Sequence, residues 1–388
     1  MLELYHGPTS AFKDVALSVL PHLIGAAAKA EGMKGDVVIL TATSGDTGKA
    51  AMEGFHDVPG TRIIVFYPYG GVSAVQQAQM ATQTGGNVKV CAVRGNFDDA
   101  QTGVKAIFAD CQGKDLHGAM LSSANSINIG RLAPQVVYYF RAYGDLVRAG
   151  RIQLGDKVDF TVPTGNFGDI LAGWFAKCMG LPVGRLVCAS NANDVLTEFL
   201  RTGRYDRRRP FYKTTSPSMD ILVSSNLERL LYLLSGDAAY VASLMAQLSE
   251  QGWYQVSDEL LAKLQESFGC GCCDDAGAAR VIGELWREEK YLCDPHTAVA
   301  WAVAQEQTGN APMVVLSTAS PYKFPAAVLG ALGEDTGDDE FAMMEKLHDI
   351  TGAAIPANLR GLEGRPVLHK DVIDKTAMED YVLAEILK

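Results

Sequence analysis

Lys13 is the first residue of this sequence whose placement has chemical consequences. In HGPTSAFKDVAL (6–17), a helix beginning near Ser10 puts Lys13 on one face with Leu17, Leu20 and Ile24. The first turn of a helix carries partial positive charge, and an apolar surround desolvates an ammonium. Both effects favour the neutral amine. A neutral amine condenses with an aldehyde, which makes Lys13 a candidate Schiff-base residue. Asp14 would oppose this if it turned inward, but adjacent helix positions face apart and it is expected to point away. The same spacing also fits a lysine that lays its stem along the helix edge and keeps its charge in water.

Three turns rich in glycine or hydroxyls follow strand-like runs, where open parallel sheets bind ligands. In PTGNFGD (163–169), Gly165 and Gly168 permit positive φ and close approach of a ligand, and the helix after them offers free N–H groups to a phosphate. TATSGDTGKAA (41–51) has the same layout. It is not a nucleotide P-loop, because threonine stands at position 43 and alanine follows Lys49. Its Ser44, Gly45, Asp46, Thr47 and Gly48 offer hydroxyls and N–H groups to a carboxylate. Either turn could equally be a tight connection closed by helix-capping residues, Asp46 or Thr47 in the second. In SSANSINIGRL (122–132), Asn125, Ser126 and Asn128 supply neutral hydrogen bonds, and Arg131, one turn into an apolar helix, supplies a planar cationic fork for an anion.

These turns need a scaffold, and the composition allows one. The 388 residues suffice for two domains, with 48% hydrophobic and 20% charged residues. A net charge of −11 argues against a nucleic-acid partner. No apolar run is long enough to span a bilayer, so no membrane role is expected. Eight cysteines, scattered except for Cys270, Cys272 and Cys273, argue against a disulfide framework and for a cytosolic setting. That cluster has no second ligand pair to complete a metal site and reads as a loop; no metal is expected. G-x-G-x-x-G, H-E-x-x-H and G-x-S-x-G are all missing, which weakens dehydrogenase, zinc-peptidase and serine-hydrolase readings.

The strand signals are 36–42, 61–68 and 87–93, with helices near 47–55, 75–84 and 98–110 between them. A long amphipathic helix over 127–150, a strand at 157–163, a helix at 170–180 and strands at 184–190 and 312–319 continue the alternation. The stretch 194–289 reads as mainly helical, and the tail from about 333 as a polar helical cover. Alternation of this kind means βαβ units and parallel sheets covered on both faces.

A lysine for an aldehyde and a glycine-rich helix start for a phosphate together describe pyridoxal 5'-phosphate. LYHGPTSAFKD, TATSGDTGKAA, SSANSINIGRLAPQVVYYF, PTGNFGD and STASPYKF resemble, in order, the signature blocks of the threonine synthase family, in the longer branch of the fold-type II pyridoxal-phosphate enzymes. The resemblance implies an α/β fold of two open, twisted, mostly parallel sheets flanked by helices. It implies a large domain of 1–35 and 118–332, a smaller one of 36–117, and a C-terminal tail of 333–388.

It also implies that Lys13 is the Schiff-base lysine and that Gly165, Asn166, Phe167, Gly168 and Asp169 hold the cofactor phosphate. Asp46 stands where shorter relatives have asparagine, beside the cofactor ring, with Ser44, Gly45 and Thr47 at the substrate carboxylate. Ser126, Asn128 and Arg131 match the substrate-phosphate residues. Ser317 or Thr318, with Thr318 favoured, places a neutral hydroxyl at the pyridine nitrogen, and Lys323 is a further candidate for the phosphate pocket. Ser320 replaces the family's histidine. The branch carries a region ahead of the lysine block that this sequence is expected to lack. The implied reaction is conversion of O-phospho-L-homoserine and water to L-threonine and phosphate. The rivals are a phospholyase releasing 2-oxobutyrate, acting on the same kind of phosphorylated amino acid, and a silent cofactor-binding homologue. No residue pattern fixes an oligomeric state.

Overall fold

A computed structural model describes residues 1–43, 45–114 and 116–387, with no account of the Asp98 side chain. The chain divides into two compact units, Met1–Leu4 with Gln135–Thr336, and Tyr5–Pro134 with Gly337–Lys388.

The first unit is built on a five-stranded sheet in the order Leu2–Glu3, Met313–Ser317, Val158–Pro163, Val183–Ser190, Phe268–Cys272. Every neighbouring pair is parallel. Parallel strands need helical crossovers that cover both faces, which is why Val158–Pro163 and Val183–Ser190 are mostly buried and carry apolar residues at the majority of their positions. Helices Gly168–Cys178, Val195–Thr202 and Pro295–Gln305 are among the covers. Of the cysteine cluster read as a loop, Cys270 and Cys272 lie instead in the edge strand Phe268–Cys272, where Gly271 is closely approached by Val303, and Cys273 follows it. Burial pushes the thiols of Cys270, Cys272 and Cys273 up, the last to about 11, so they stay protonated. The mainly helical stretch also holds a small antiparallel pair, Arg204–Asp206 with Trp253–Gln255.

The second unit has its own five-stranded parallel sheet, ordered Asp371–Asp374, Val88–Arg94, Thr61–Pro68, Val37–Ala42, Met120–Ser123. Alternate strand residues feed two separate cores. Val37 and Ile39 pack with Leu17, Leu20, Met52 and Phe55, whereas Val38 and Leu40 pack with Val104, Ile107, Met378 and Val382. Helix Lys13–Ala30 packs on helix Asp46–Phe55. The sequence places 1–35 and 118–134 with the larger domain, but the structure puts 5–134 in one unit, because Leu17 and Leu20 complete the core of this sheet. The tail is likewise more than a cover, since Asp371–Asp374 extends the same sheet.

The amphipathic helix expected over 127–150 is broken. Ile129–Leu132 makes one turn, a 3-10 turn follows at Ala133–Gln135, and the helix resumes at Val136–Arg148. Pro134 lacks an N–H and its ring crowds the preceding turn, which accounts for the interruption. Among the described residues, no helix is long and apolar enough to cross a membrane.

Candidate functional site

In the second unit, the helix expected from Ser10 begins at Lys13 itself. Ser10 holds a left-handed backbone, φ 57°, and its hydroxyl donates to Asn358 Oδ1 at 2.9 Å. Lys13 is 8% exposed and its Nζ lies 5.0 Å from the Phe12 ring centroid and 3.8 Å from Asp46 Oδ2. The surround is therefore not purely apolar, and a carboxylate on the following strand's turn offsets the cation. Asp14, expected to face away, is buried instead, but its oxygens accept from the Thr9 N–H at 2.9 Å and from the Thr9 hydroxyl. The threonine of HGPTS thus occupies Asp14, and Gly7 leaves room for it, since a Cβ there would lie 2.4 Å from Asp14 Oδ2.

The turn after Val37–Ala42 is capped by a residue the sequence reading missed. The Thr43 hydroxyl accepts from the N–H groups of both Gly45 and Gly48 at 2.9 Å, so neither Asp46 nor Thr47 is the cap. Threonine two residues before a glycine was the available signal. Ser44 lies outside the described residues. Gly45 takes φ 138°, and a Cβ on it would lie 2.3 Å from the Gln76 amide, so the position requires glycine. Gln76, also missed, closes a capping box with Ser73 and donates to Asp46 Oδ1 at 3.2 Å. One carboxylate oxygen of Asp46 thereby meets Gln76 while the other lies toward Lys13. Thr47 is half-buried.

Of the third turn, Asn128 is a helix cap. It accepts from Gly130 N at 2.9 Å and donates to Ser123 O at 3.0 Å. Arg131 is 3% exposed and its Nη1 donates to the Ala124 carbonyl, so its fork is fixed from within the unit. Ser126 is half-buried.

In the first unit, the turn 163–169 joins strand Val158–Pro163 to helix Gly168–Cys178. The left-handed backbone expected of its glycines falls instead on Phe167, φ 62°. This uncommon conformation for a bulky residue is held by full burial of the ring, whose centroid lies 5.6 Å from that of Phe268. Gly165 serves close approach rather than positive φ: a Cβ there would lie 2.8 Å from Ser218 O and 3.1 Å from Met219 Cα. Gly168 opens the helix. Asn166 is exposed, and its backbone carbonyl accepts from Asn226 Nδ2 at 2.9 Å and its Oδ1 from the Ser225 hydroxyl at 3.1 Å. Asp169 is buried, and the Tyr139 hydroxyl donates to its carbonyl at 2.8 Å and meets its Oδ1 at 3.1 Å. Burial and that carboxylate hold the Tyr139 hydroxyl well above its ordinary range, so it remains a donor.

At the end of strand Met313–Ser317, the Ser317 hydroxyl is 3.0 Å from that of Thr297 and accepts from Tyr291 at 3.4 Å. Thr318, the next residue, is 6% exposed. Lys323 is 1% exposed within the 3-10 turn Pro321–Lys323, which Ser320 caps.

The residues fit a phosphorylated aldehyde. In the second unit an amine nine-tenths buried lies beside a turn that requires glycine; in the first, a turn whose Gly165 meets backbone with no room for a Cβ leads into a helix start at Gly168.

Residues 1–319 match the family described as pyridoxal-phosphate dependent enzyme, and residues 297–382 match the C-terminal region of threonine synthase. This places the chain among the pyridoxal-phosphate dependent enzymes, with an α/β fold of the type II class. Threonine synthase of Pseudomonas aeruginosa is 45% identical over 84% of the chain and 68% of its own length. The crystal structure of pyridoxal-phosphate-bound threonine synthase from Brucella melitensis superposes with a TM-score of 0.86 at 41% identity, covering 100% of this chain and 78% of that one. The chain belongs to the threonine synthase family. Human threonine synthase-like 1 is 39% identical over 98% of the chain, which spans 51%, about half, of that relative's length.

Proposed function

We propose that the chain is a threonine synthase, converting O-phospho-L-homoserine and water to L-threonine and inorganic phosphate. The observation that carries the reading is the Lys13 amine, buried at the first residue of its helix and facing Asp46 from a turn that only glycine can build. The similarity to Pseudomonas aeruginosa threonine synthase supports it.

In this reading Lys13 holds the cofactor aldehyde, and Gly165, Asn166, Phe167, Gly168 and Asp169 hold its phosphate. When bound, pyridoxal 5'-phosphate supplies an electron sink for charge developing on the substrate carbons. The Lys13 amine would move protons at the α, β and γ carbons of the substrate. Asp46 keeps the amine in place while it does so. Ser44, Gly45 and Thr47 take the substrate carboxylate. Ser126, Asn128 and Arg131 take the substrate phosphate, and the Arg131 fork stabilises the charge that gathers on it as it leaves. Because the Ser317 hydroxyl is engaged by Thr297 and Tyr291, Thr318 is the hydroxyl assigned to the pyridine nitrogen. A neutral hydroxyl there does not donate charge to fix a proton on that nitrogen. The eight cysteines, all unpaired, support a cytosolic setting.

The test is product analysis after incubation with cofactor and O-phospho-L-homoserine. Threonine and phosphate in equal amounts support the reading. Phosphate with 2-oxobutyrate reassigns the chain as a phospholyase, and cofactor uptake without turnover makes it a silent homologue.

A further inference from the structure

The first unit holds a buried acid–imidazole pair that the proposed chemistry leaves unused. Asp294 is 0% and His296 3% exposed, and His296 Nδ1 lies 2.7 Å from Asp294 Oδ1. Asp294 is also the cap of helix Pro295–Gln305, accepting from His296 N at 2.9 Å and Thr297 N at 3.3 Å, with the Thr297 hydroxyl on its second oxygen. A carboxylate so committed cannot swing away, so it fixes the ring. On the far side of the ring, Nε2 lies 3.2 Å from Ser218 N, an obligate donor. Nε2 must therefore be the lone-pair nitrogen and Nδ1 the protonated one, which makes the neutral Nδ1–H tautomer the one that satisfies both partners. Phe324 closes over the ring edge-on at 5.0 Å.

Ser218 is also where Gly165 is pressed. Its carbonyl and the Met219 Cα form the surface that a Cβ at Gly165 would strike. The same segment reaches the turn a second time through Asn226 and Ser225, which hold Asn166. It is also tied to the residue that follows strand Val183–Ser190, since Asn191 donates to Asp220 Oδ1 at 2.8 Å, and within the segment Asp220 accepts from Thr214 N at 2.9 Å. The segment 212–226 is thus a brace under the turn 163–169, and His296 is its central fastening.

We propose that His296, held by Asp294 as the Nδ1–H tautomer, is a positioning residue for the phosphate-binding turn, setting the height of the Ser218–Met219 backbone against Gly165. This rests on the reading that the turn holds the cofactor phosphate. His296→Asn keeps a donor toward Asp294 but cannot reach Ser218, whereas His296→Gln carries an acceptor out to the Nε2 position.

The experiment compares binding of pyridoxal 5'-phosphate with binding of pyridoxal, which lacks the phosphate. His296→Asn is expected to weaken the phosphate form about tenfold, one charge-free hydrogen bond and its strain, with pyridoxal unchanged and His296→Gln near wild type. Equal weakening toward both probes, or no weakening, overturns the proposal. Nitrogen NMR of the wild-type imidazole reads the tautomer without any variant, and a proton on Nε2 overturns it as well. If wild type does not prefer the phosphate form, the assignment of the turn fails and the proposal falls with it. A preference kept by wild type and by His296→Asn alike removes only the role of His296.

Discussion

The turns at 43–48 and 163–169 share one plan, a buried parallel strand, a short glycine-bearing loop and a helix, yet they are held by opposite means. The first is closed from within. Thr43 accepts two N–H groups of its own loop, and the special backbone sits on a glycine with φ 138°. The second is closed from outside. Its left-handed residue is a phenylalanine kept in place by burial, and its glycine rests on a brace roughly fifty positions further along. A loop that caps itself can carry reactive side chains such as Asp46 outward toward the amine. A loop supported from beneath presents its backbone, which suits an anion that is held rather than transformed.

This division of labour can be broken experimentally. Lys13→Ala should remove covalent capture of the cofactor and lower turnover by at least about a thousandfold while noncovalent uptake survives. Borohydride reduction followed by peptide mass mapping, together with the visible absorbance, reads this directly, and label retained elsewhere would refute the role of Lys13. Gly165→Ala should do the reverse, costing about 2 kcal/mol of stability through overlap with Ser218 and weakening cofactor binding at least about tenfold. Equilibrium unfolding and cofactor titration measure the two effects, and an unshifted titration contradicts the brace. Gly45→Ala should destabilise by about 2 kcal/mol. Adding Gln76→Ala should recover only part of that, because the overlap is relieved while φ is not. Full recovery would show that the backbone at Gly45 is unstrained. The smallest effect is expected from Thr43→Val, about 1 kcal/mol in thermal or denaturant unfolding, since the shape is kept and only the cap is lost.

The alternation of strands and helices was legible because buried parallel strands are continuous β-branched runs, as in Val37–Ala42 and Thr61–Pro68. The sheet strands not foreseen in the two parallel sheets, Leu2–Glu3, Met120–Ser123, Phe268–Cys272 and Asp371–Asp374, are short or rich in glycine, cysteine or charge, and their pairing is decided by distant neighbours. Lys13 could be singled out because a cation on an apolar face conflicts with local expectation. Thr43 and Gln76 lie within reach of short capping patterns and could have been found. His296, Ser218 and Asn226 could not, because nothing local marks a group whose task is to hold a turn roughly fifty or more positions earlier in the chain. Asp294 carried a partial sign, an acid before proline at a helix start, which announces a cap but not the imidazole it grips.

The parallel pairing of Asp371–Asp374 with Val88–Arg94 also sets the timing of assembly on the ribosome. More than 270 residues separate the partners, so the sheet holding Val88–Arg94 carries a bare border until 371–374 emerges, and Met378 and Val382 must arrive before its second core closes. Most of the intervening unit is synthesised meanwhile and can mature first, leaving the earlier-made sheet as the one that waits with an unpaired edge open to wrong pairing.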